Sequence, residues 1–252
     1  MLARKTASAA ASLALLTVCP WSAVATDGPY RLTLETGAVW QERNDERIPG
    51  DTGTRFSMAR LQGAGPYAHM RMTLEADVDR RSGWRFLIAP LEIRGSGTLD
   101  RTVSFAGADF AAGTKTTGTY RFNSYRATYR YRFHNDSRSE WRAGVTLKIR
   151  DARVALRQGA VAASDANVGF APLIHVAGSY ALDDRSRLLL DFDGLAAPQG
   201  RAFDIGIQFA RDVAADWTAV VGFRTLEGGA DNERVYSFAW LNYATVGAAY
   251  RF

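Results

Sequence analysis

Three residues have types that could do chemistry together: His175, Asp193 and Asp204. The segments 170–183, 187–196 and 201–213 read as strands joined by tight turns. A simple antiparallel register about those turns sets Asp193 near Asp204 and diagonal to His175, with Arg224 close to Asp204. Two carboxylates and an imidazole can perform general acid–base catalysis when neighbours displace one pKa. Ser179, placed opposite Asp191, would add a hydroxyl. The plainer account is that Arg224 neutralises the aspartates and His175 is a neutral hydrogen-bond partner. Ion-pair networks shift pKa values as readily as active sites do, and the plainer account is favoured. Other chemistry is poorly supplied. His69 and His134 lie far apart, no histidine pair has metal-ligand spacing, and no serine sits in a G-x-S-x-G elbow. Asp183-Asp184 lacks the repeated oxygen spacing of a calcium loop and reads as a turn former. No metal or cofactor is expected.

The elements that would position these residues are strands separated by two kinds of connection. Short polar turns occupy 79–83, 135–139, 183–186 and 214–216; Trp84 and Trp217 follow two of them directly, and Trp141 follows a third after Glu140. Longer, glycine-richer connections fall at about 44–64, 101–118, 159–169 and 229–234, with a tight Ala197-Pro198-Gln199-Gly200 among them. The two kinds alternate. They delimit ten strands, at about 30–43, 66–79, 84–99, 119–134, 140–157, 170–183, 187–196, 201–213, 217–228 and 235–252. Residues 55–62 could add a short strand, and eight or twelve strands stay open as alternatives.

Alternation is clean along these segments. Ala68, Met70, Met72, Leu74, Ala76 and Val78 share one face, and His69, Arg71, Glu75 and Asp77 the other. Trp141, Ala143, Val145, Leu147 and Ile149 oppose Arg142, Gly144, Thr146, Lys148 and Arg150. Phe203, Ile205, Ile207 and Phe209 oppose Asp204, Gly206 and Gln208. A soluble sandwich buries the apolar face, whereas a membrane barrel turns it to lipid and the charged face to the lumen. Alternation alone does not separate the two.

The N-terminus favours the membrane. Arg4 and Lys5, an apolar run over 7–18 and Ala23-Val24-Ala25 before Thr26 read as a cleavable secretory signal over residues 1–25, leaving one domain over 26–252. Val18 before Cys19 does not suit a lipoprotein signal, and the only cysteine leaves with the leader. Losing Arg4 and Lys5 lowers a formal charge of +5 by two, too balanced for nucleic acid. No run of about 18 apolar residues is present in the mature part, which excludes a membrane helix but not a barrel.

The chain ends Thr245-Val246-Gly247-Ala248-Ala249-Tyr250-Arg251-Phe252. This resembles the terminal signature of bacterial outer-membrane β-barrels: polar, glycine, an apolar residue, and a final aromatic after one spacer. The resemblance implies that Gly247, Tyr250 and Phe252 form a signal for the barrel-assembly machinery. The stretches 148–153, 194–200 and 225–232 resemble an uncharacterised group of small proteobacterial outer-membrane barrels, OmpA/OmpW-like in the broad sense. That implies the fold and the outer membrane of a Gram-negative bacterium, and no activity. Omptin-like proteases and lipid A deacylases are small barrels too, but neither catalytic motif maps completely here.

The expectation is therefore an all-β, antiparallel up-and-down transmembrane β-barrel of ten strands. Its interface girdle would be Trp84, Trp141, Trp217, Tyr250 and Phe252. Its lumen would hold Glu35, Glu75, Asp77, Asp191, Asp193 and Asp204 against Arg71, Arg126, Arg130, Arg132, Lys148, Arg150 and Arg224. A barrel this narrow is filled by its own side chains, while open aqueous channels need about sixteen strands. The expected function is a mostly plugged, porin-like barrel, structural or binding a small ligand or partner at its external end. An envelope lipid-modifying enzyme using His175, Asp193 and Asp204, and a narrow channel for small polar or anionic solutes, are the alternatives. Expected partners are outer-membrane lipid, lipopolysaccharide and the assembly machinery.

Overall fold

The computed structural model describes residues 28–198 and 200–252; the expected leader lies outside the described residues. Strand β1 spans Tyr30–Arg47, followed by β2 (Phe56–Ser57), helix α1 (Met58–Gln62), β3 (Tyr67–Asp77), β4 (Ser82–Ala89) and β5 (Glu92–Thr98). A small hairpin, β6 (Val103–Phe105) and β7 (Ala108–Phe110), precedes the long strands β8 (Lys115–Asn135), β9 (Ser139–Gln158) and β10 (Val161–Ala181). The set ends with β11 (Ser186–Ala197), β12 (Gly200–Asp212), β13 (Trp217–Asp231) and β14 (Tyr236–Arg251). Neighbours in sequence pair antiparallel, β4 and β5 form two halves of one wall strand along β8, and β14 returns to β1. The result is a closed ten-stranded barrel. At the closure Phe252 N donates to Tyr30 O at 3.0 Å and Tyr30 N to Phe252 O at 3.2 Å. The termini share one end, called terminal below; the other end is distal.

The side-chain faces separate as the alternation requires, and the apolar face points outward. Val145, Phe170, Ile174, Ile207 and Val221 are all more than half exposed, while Arg71, Arg126 and Asp204 on the opposite face are nearly inaccessible. A soluble sandwich would show the reverse. An apolar belt around a whole barrel far exceeds the patches a soluble monomer exposes, and closure satisfies the backbone groups of the paired wall as lipid demands. Exposed Trp84, Trp217, Tyr250 and Phe252 gather toward the terminal end, where Trp217 and Tyr250 rings lie 4.8 Å apart and Tyr250 and Phe252 5.9 Å apart. Trp141 lies flat across Gly178, where any Cβ would meet its ring at 2.5 Å.

Three turns at the terminal end repeat one device, Asp-x-Arg-Ser: 79–82, 136–139 and 183–186. In each, one carboxylate oxygen accepts from the arginine and serine amides, at 2.6 and 2.7 Å for Asp79, 2.7 and 2.7 Å for Asp136, and 2.8 and 2.8 Å for Asp183. The aspartates serve as turn formers, mimicking a backbone turn. The Arg138 amide, then that of Ser139, holds the Asp136 carboxyl down to about 2. Because the folded value lies below the ordinary one, the turn's contribution is present above about pH 4 and lost as pH falls toward 2. Asp136→Ala is expected to speed hydrogen exchange at the Arg138 and Ser139 amides at neutral pH, bringing them to the rate that wild type shows near pH 2 after correction for intrinsic exchange. Unchanged protection would refute the role.

Two connections differ from expectation. Residues 161–169 are strand, joined to β9 through Gly159-Ala160 alone, and β13 runs on to Asp231. Alanine, serine and asparagine there resemble a loop in composition, but β9 supplies a complete partner from Val161↔Gln158 onward. Residues 55–62 give only the two-residue β2 before turning into α1, which Ser57 caps through its hydroxyl. The turn register also moves: Ala177, not Ser179, faces Asp191, and His175 pairs directly with Asp193 rather than diagonally. The four-residue turn 182–185, closed by Leu182 N donating to Ser186 O, sets that register.

The distal lumen is packed by the connections folded into it. Met58, Leu61, Phe105 and Phe110 are buried against inward Val39, Tyr120, Leu156 and Leu241. The wall itself has two seams. Beside β3, pairing to β4 ends at Met72↔Ile88, so Tyr67–Arg71 is paired only to β1. Helix α1 closes this seam: Gln62 Nε2 donates to Ile93 O at 2.8 Å, Gln41 Nε2 to Gly63 O at 3.0 Å, and Tyr67 Oη to Gln62 O at 2.7 Å. The second seam lies between β10 and β11. Their pairing stops at Ile174↔Gly194, although β9 holds β10 out to Val161 and β12 holds β11 out to Ala197.

Candidate functional site

The centre of the lumen is a septum of ion pairs, built by strands that each place a charge on the inward face. Arg126 on β8 bridges two acids, donating to Asp193 at 2.7 Å and to Asp204 at 2.5 Å. Arg224 on β13 donates to the other oxygen of Asp204 at 2.5 Å. Arg71 lies 3.7 Å from Asp204 and 3.9 Å from Glu35, whose Oε1 accepts from Gln208 at 2.5 Å. Arg85 binds Asp191 at 2.5 Å and Arg130 binds Glu75 at 2.5 Å. Below these, Arg142 reaches Asp77 at 2.7 Å, and Arg132 and Arg142 both hold Glu140. The charge-assisted bonds link strands across the lumen, which the wall's own hydrogen bonds cannot do.

The expected catalytic residues meet within this septum. His175 Nδ1 lies 3.0 Å from Asp193 Oδ1, which also accepts from Thr146 Oγ1 at 2.8 Å. Asp193 pairs with Asp204 across β11 and β12. His175 and Asp193 have no exposed surface. Every aspartate oxygen of the pair is engaged by arginine, threonine or histidine. Asp191 with His175 and Asp193 has the spacing to hold a cation. The guanidinium groups of Arg85 and Arg126 already supply positive charge to those two carboxylates.

The septum divides the lumen into two cavities with no lining residue in common. The terminal one, about 380 Å³, is walled by charged groups including Glu75, Asp77, Arg85, Arg132, Arg142 and Arg224. The distal one, about 470 Å³, is largely apolar, with Tyr120, Phe122, Val154, Leu173 and Leu226 in its wall and Arg126, Asp193 and Asp204 at its floor. Lys148 and Arg150 also line it. Lys148 is 4% exposed and rests on the Phe122 ring at 4.9 Å. Among the described residues neither cation has a carboxylate within 4.0 Å, and Arg150 bonds only to Asn167, at 2.9 Å.

The structure thus brings Glu35, Arg71, Glu75, Arg126, Arg130, Asp191 and Arg224 together around the expected triad, leaves Asp77 and Arg132 nearer the terminal end, and sets Lys148 and Arg150 apart on the distal side. Sequence reasoning missed Arg85, 7% exposed, which links Asp191, Glu75 and Asp193. The alternation Trp84, Phe86, Ile88 against Arg85 and Leu87 carried the signal. The inward plug residues Met58, Phe105 and Phe110 carried no periodic signal, because they belong to connections.

No protein-family model matches the sequence, and no curated protein matches it as a relative. Among solved structures, the outer membrane protease OmpT from Escherichia coli is similar over 90% of this chain and 97% of its own, with a TM-score of 0.53 at 12% identity. Ail, the attachment invasion locus protein of Yersinia pestis, aligns over 88% of this chain and 99% of its own, with a TM-score of 0.40 at 9% identity. The likeness to OmpT shows the fold, that of the bacterial outer-membrane β-barrels.

Proposed function

We propose that this chain is an integral outer-membrane barrel, sealed to solutes, whose distal end faces the cell exterior and binds a ligand or partner. The observation that carries the reading is the septum. Two cavities of about 380 and 470 Å³ approach it from opposite ends, and Arg71, Arg126, Asp204 and Arg224 fill the space between them. A conducting path would have to break several desolvated ion pairs at once, each costly to leave unpaired. The expected leader at 1–25, the outward apolar belt, the girdle of Trp84, Trp141, Trp217, Tyr250 and Phe252, and the terminal signature of Gly247, Tyr250 and Phe252 support insertion in the outer membrane. Assembly by the barrel-assembly machinery, and contact with outer-membrane lipid and lipopolysaccharide, belong to the same proposal.

The arrangement favours a structural role for His175, Asp193 and Asp204 over an enzymatic one. Their acid oxygens are occupied and the imidazole is enclosed. The proteolytic activity named for OmpT is therefore not carried over. The test is electrical: purified barrel reconstituted in planar bilayers is expected to leave the membrane silent across a range of voltages. Stable unitary conductance in wild type would overturn the sealed-lumen reading and favour the channel.

A further inference from the structure

We propose that the distal cavity binds a long-chain fatty carboxylate, admitted sideways from the outer leaflet through the seam between β10 and β11, with its acid group on Lys148. This rests on the sealed, ligand-binding reading above and names the ligand class and its route. The first observation is the seam. Above Ile174↔Gly194 the two strands keep their outer partners but lose each other. The wall is still apolar there: Phe170 is 69% exposed and Val168 61%, beyond the last pair. The break therefore begins within the belt, where an unpaired strand edge is tolerated only if it lines a cavity. Pro172, which has no amide to donate, lies two residues past the last paired position, as an edge requires. The comparable seam beside β3 is closed by α1.

The second observation is that the cavity lies against this break. Its lining includes inward Ala171, Leu173 and Ala202 together with Phe170, Pro172 and Phe203, whose positions alternate to the lipid face. At the lower edge, Phe192 and Phe203 rings lie 6.4 Å apart over Gly194, where a Cβ would meet both rings.

The third observation is charge. Lys148 is a nearly inaccessible amine lining an apolar cavity, with an aromatic ring beneath it and, among the described residues, no carboxylate within 4.0 Å. A buried charge is stabilised by a counter-charge, and the septum acids Asp193 and Asp204 lie more than 4.0 Å from Lys148 and are already bonded to Arg126 and Arg224. On the neighbouring strand β10, Lys148 pairs with Ala171 and Arg150 with Gly169, so no large side chain stands beside either cation, and the Arg150 guanidinium lies over Gly169. One carboxylate fills that place. The chain would lie along Phe122, Leu173, Leu195 and Leu226, in a volume of about 470 Å³, within the range of small-molecule sites. A multi-chain lipid would exceed it.

The test uses the full mature barrel in lipid nanodiscs, with palmitate labelled with carbon-13 at the carboxyl. Wild type should give a distinct bound carboxylate resonance, Lys148→Met should weaken binding at least tenfold, and Lys148→Arg should restore most of it. All three should show the same heat-modifiable migration, which separates lost binding from lost folding. Palmitate methyl ester should bind wild type and Lys148→Met alike. Equal palmitate affinity in wild type and Lys148→Met, or no bound resonance in wild type, overturns the assignment. A diazirine-bearing palmitate reads the route. Adducts concentrated at Phe170, Pro172, Phe203 and the cavity wall support lateral entry, and adducts spread evenly around the belt overturn it. A silent bilayer with no palmitate bound would leave the sealed-lumen reading standing and sink only this inference.

Discussion

Asp204→Ala should destabilise the folded barrel by about 3–5 kcal/mol, the range for removing one partner of a buried charge pair. Asp204 is 2% exposed and its two oxygens answer Arg126 and Arg224, with Arg71 at 3.7 Å. Without it three guanidinium groups face one another, with Asp193 on Arg126, Asp191 at 3.8 Å from Arg224 and Glu35 at 3.9 Å from Arg71 left to offset them. Urea unfolding in lipid vesicles would read the change as a lower midpoint with little change in slope. Asp204→Asn should lose most of the same stability, because shape is kept but charge is not. The double variant Asp204→Ala with Arg224→Leu should recover part of the loss, since deleting both partners removes the uncompensated charge along with the bond. This result also weighs on chemistry. Carboxylates retained for catalysis commonly cost stability, so a variant as stable as wild type or more so would count against the structural septum and for an active site.

How far the sequence foretells this arrangement depends on which physical signal each part leaves. Strand period is two, so the faces of Met70, Val145 and Ile207 against Arg71, Thr146 and Asp204 follow from alternation and match the observed burial. Short polar turns are legible because Asp-x-Arg-Ser satisfies its own backbone locally. Register is less so. Moving the centre of the 182–185 turn by one residue shifts every pair on β10 and β11 by two, which is why Ala177 replaces Ser179 opposite Asp191. The extension of β10 through Ala162, Ser164 and Asn167 depends on a partner strand rather than on propensity, as strand formation generally does. The seam leaves no periodic trace, because alternation fixes which way a side chain points and says nothing about which neighbour bonds the backbone. Pro172 was its one mark. The plug is legible only as apolar residues in connections, and their docking depends on space inside the closed wall.

Val145→Arg separates a membrane belt from any soluble account with the opposite expectation for each. Val145 is 66% exposed, on the face shared by Trp141, Ala143, Leu147 and Ile149, and four residues from the girdle tryptophan. On a soluble protein so exposed a position tolerates arginine within about 0.5 kcal/mol. Near the middle of a bilayer the same change costs about 2–4 kcal/mol, because the guanidinium must be desolvated or drag water and headgroups inward. The inward neighbours Thr146 and Gly144 are unaffected, since a strand turns alternate side chains to opposite faces. Folding into vesicles of defined thickness should therefore show a drop of that size for Val145→Arg. The same substitution at Phe133, also exposed (59%) but two residues before the end of β8 at the terminal end, should cost about 0–1 kcal/mol. The depth dependence is what matters. Equal costs at the two positions would mean that the outward apolar face does not meet hydrocarbon, and the belt, the girdle and the lateral seam would lose their common premise together.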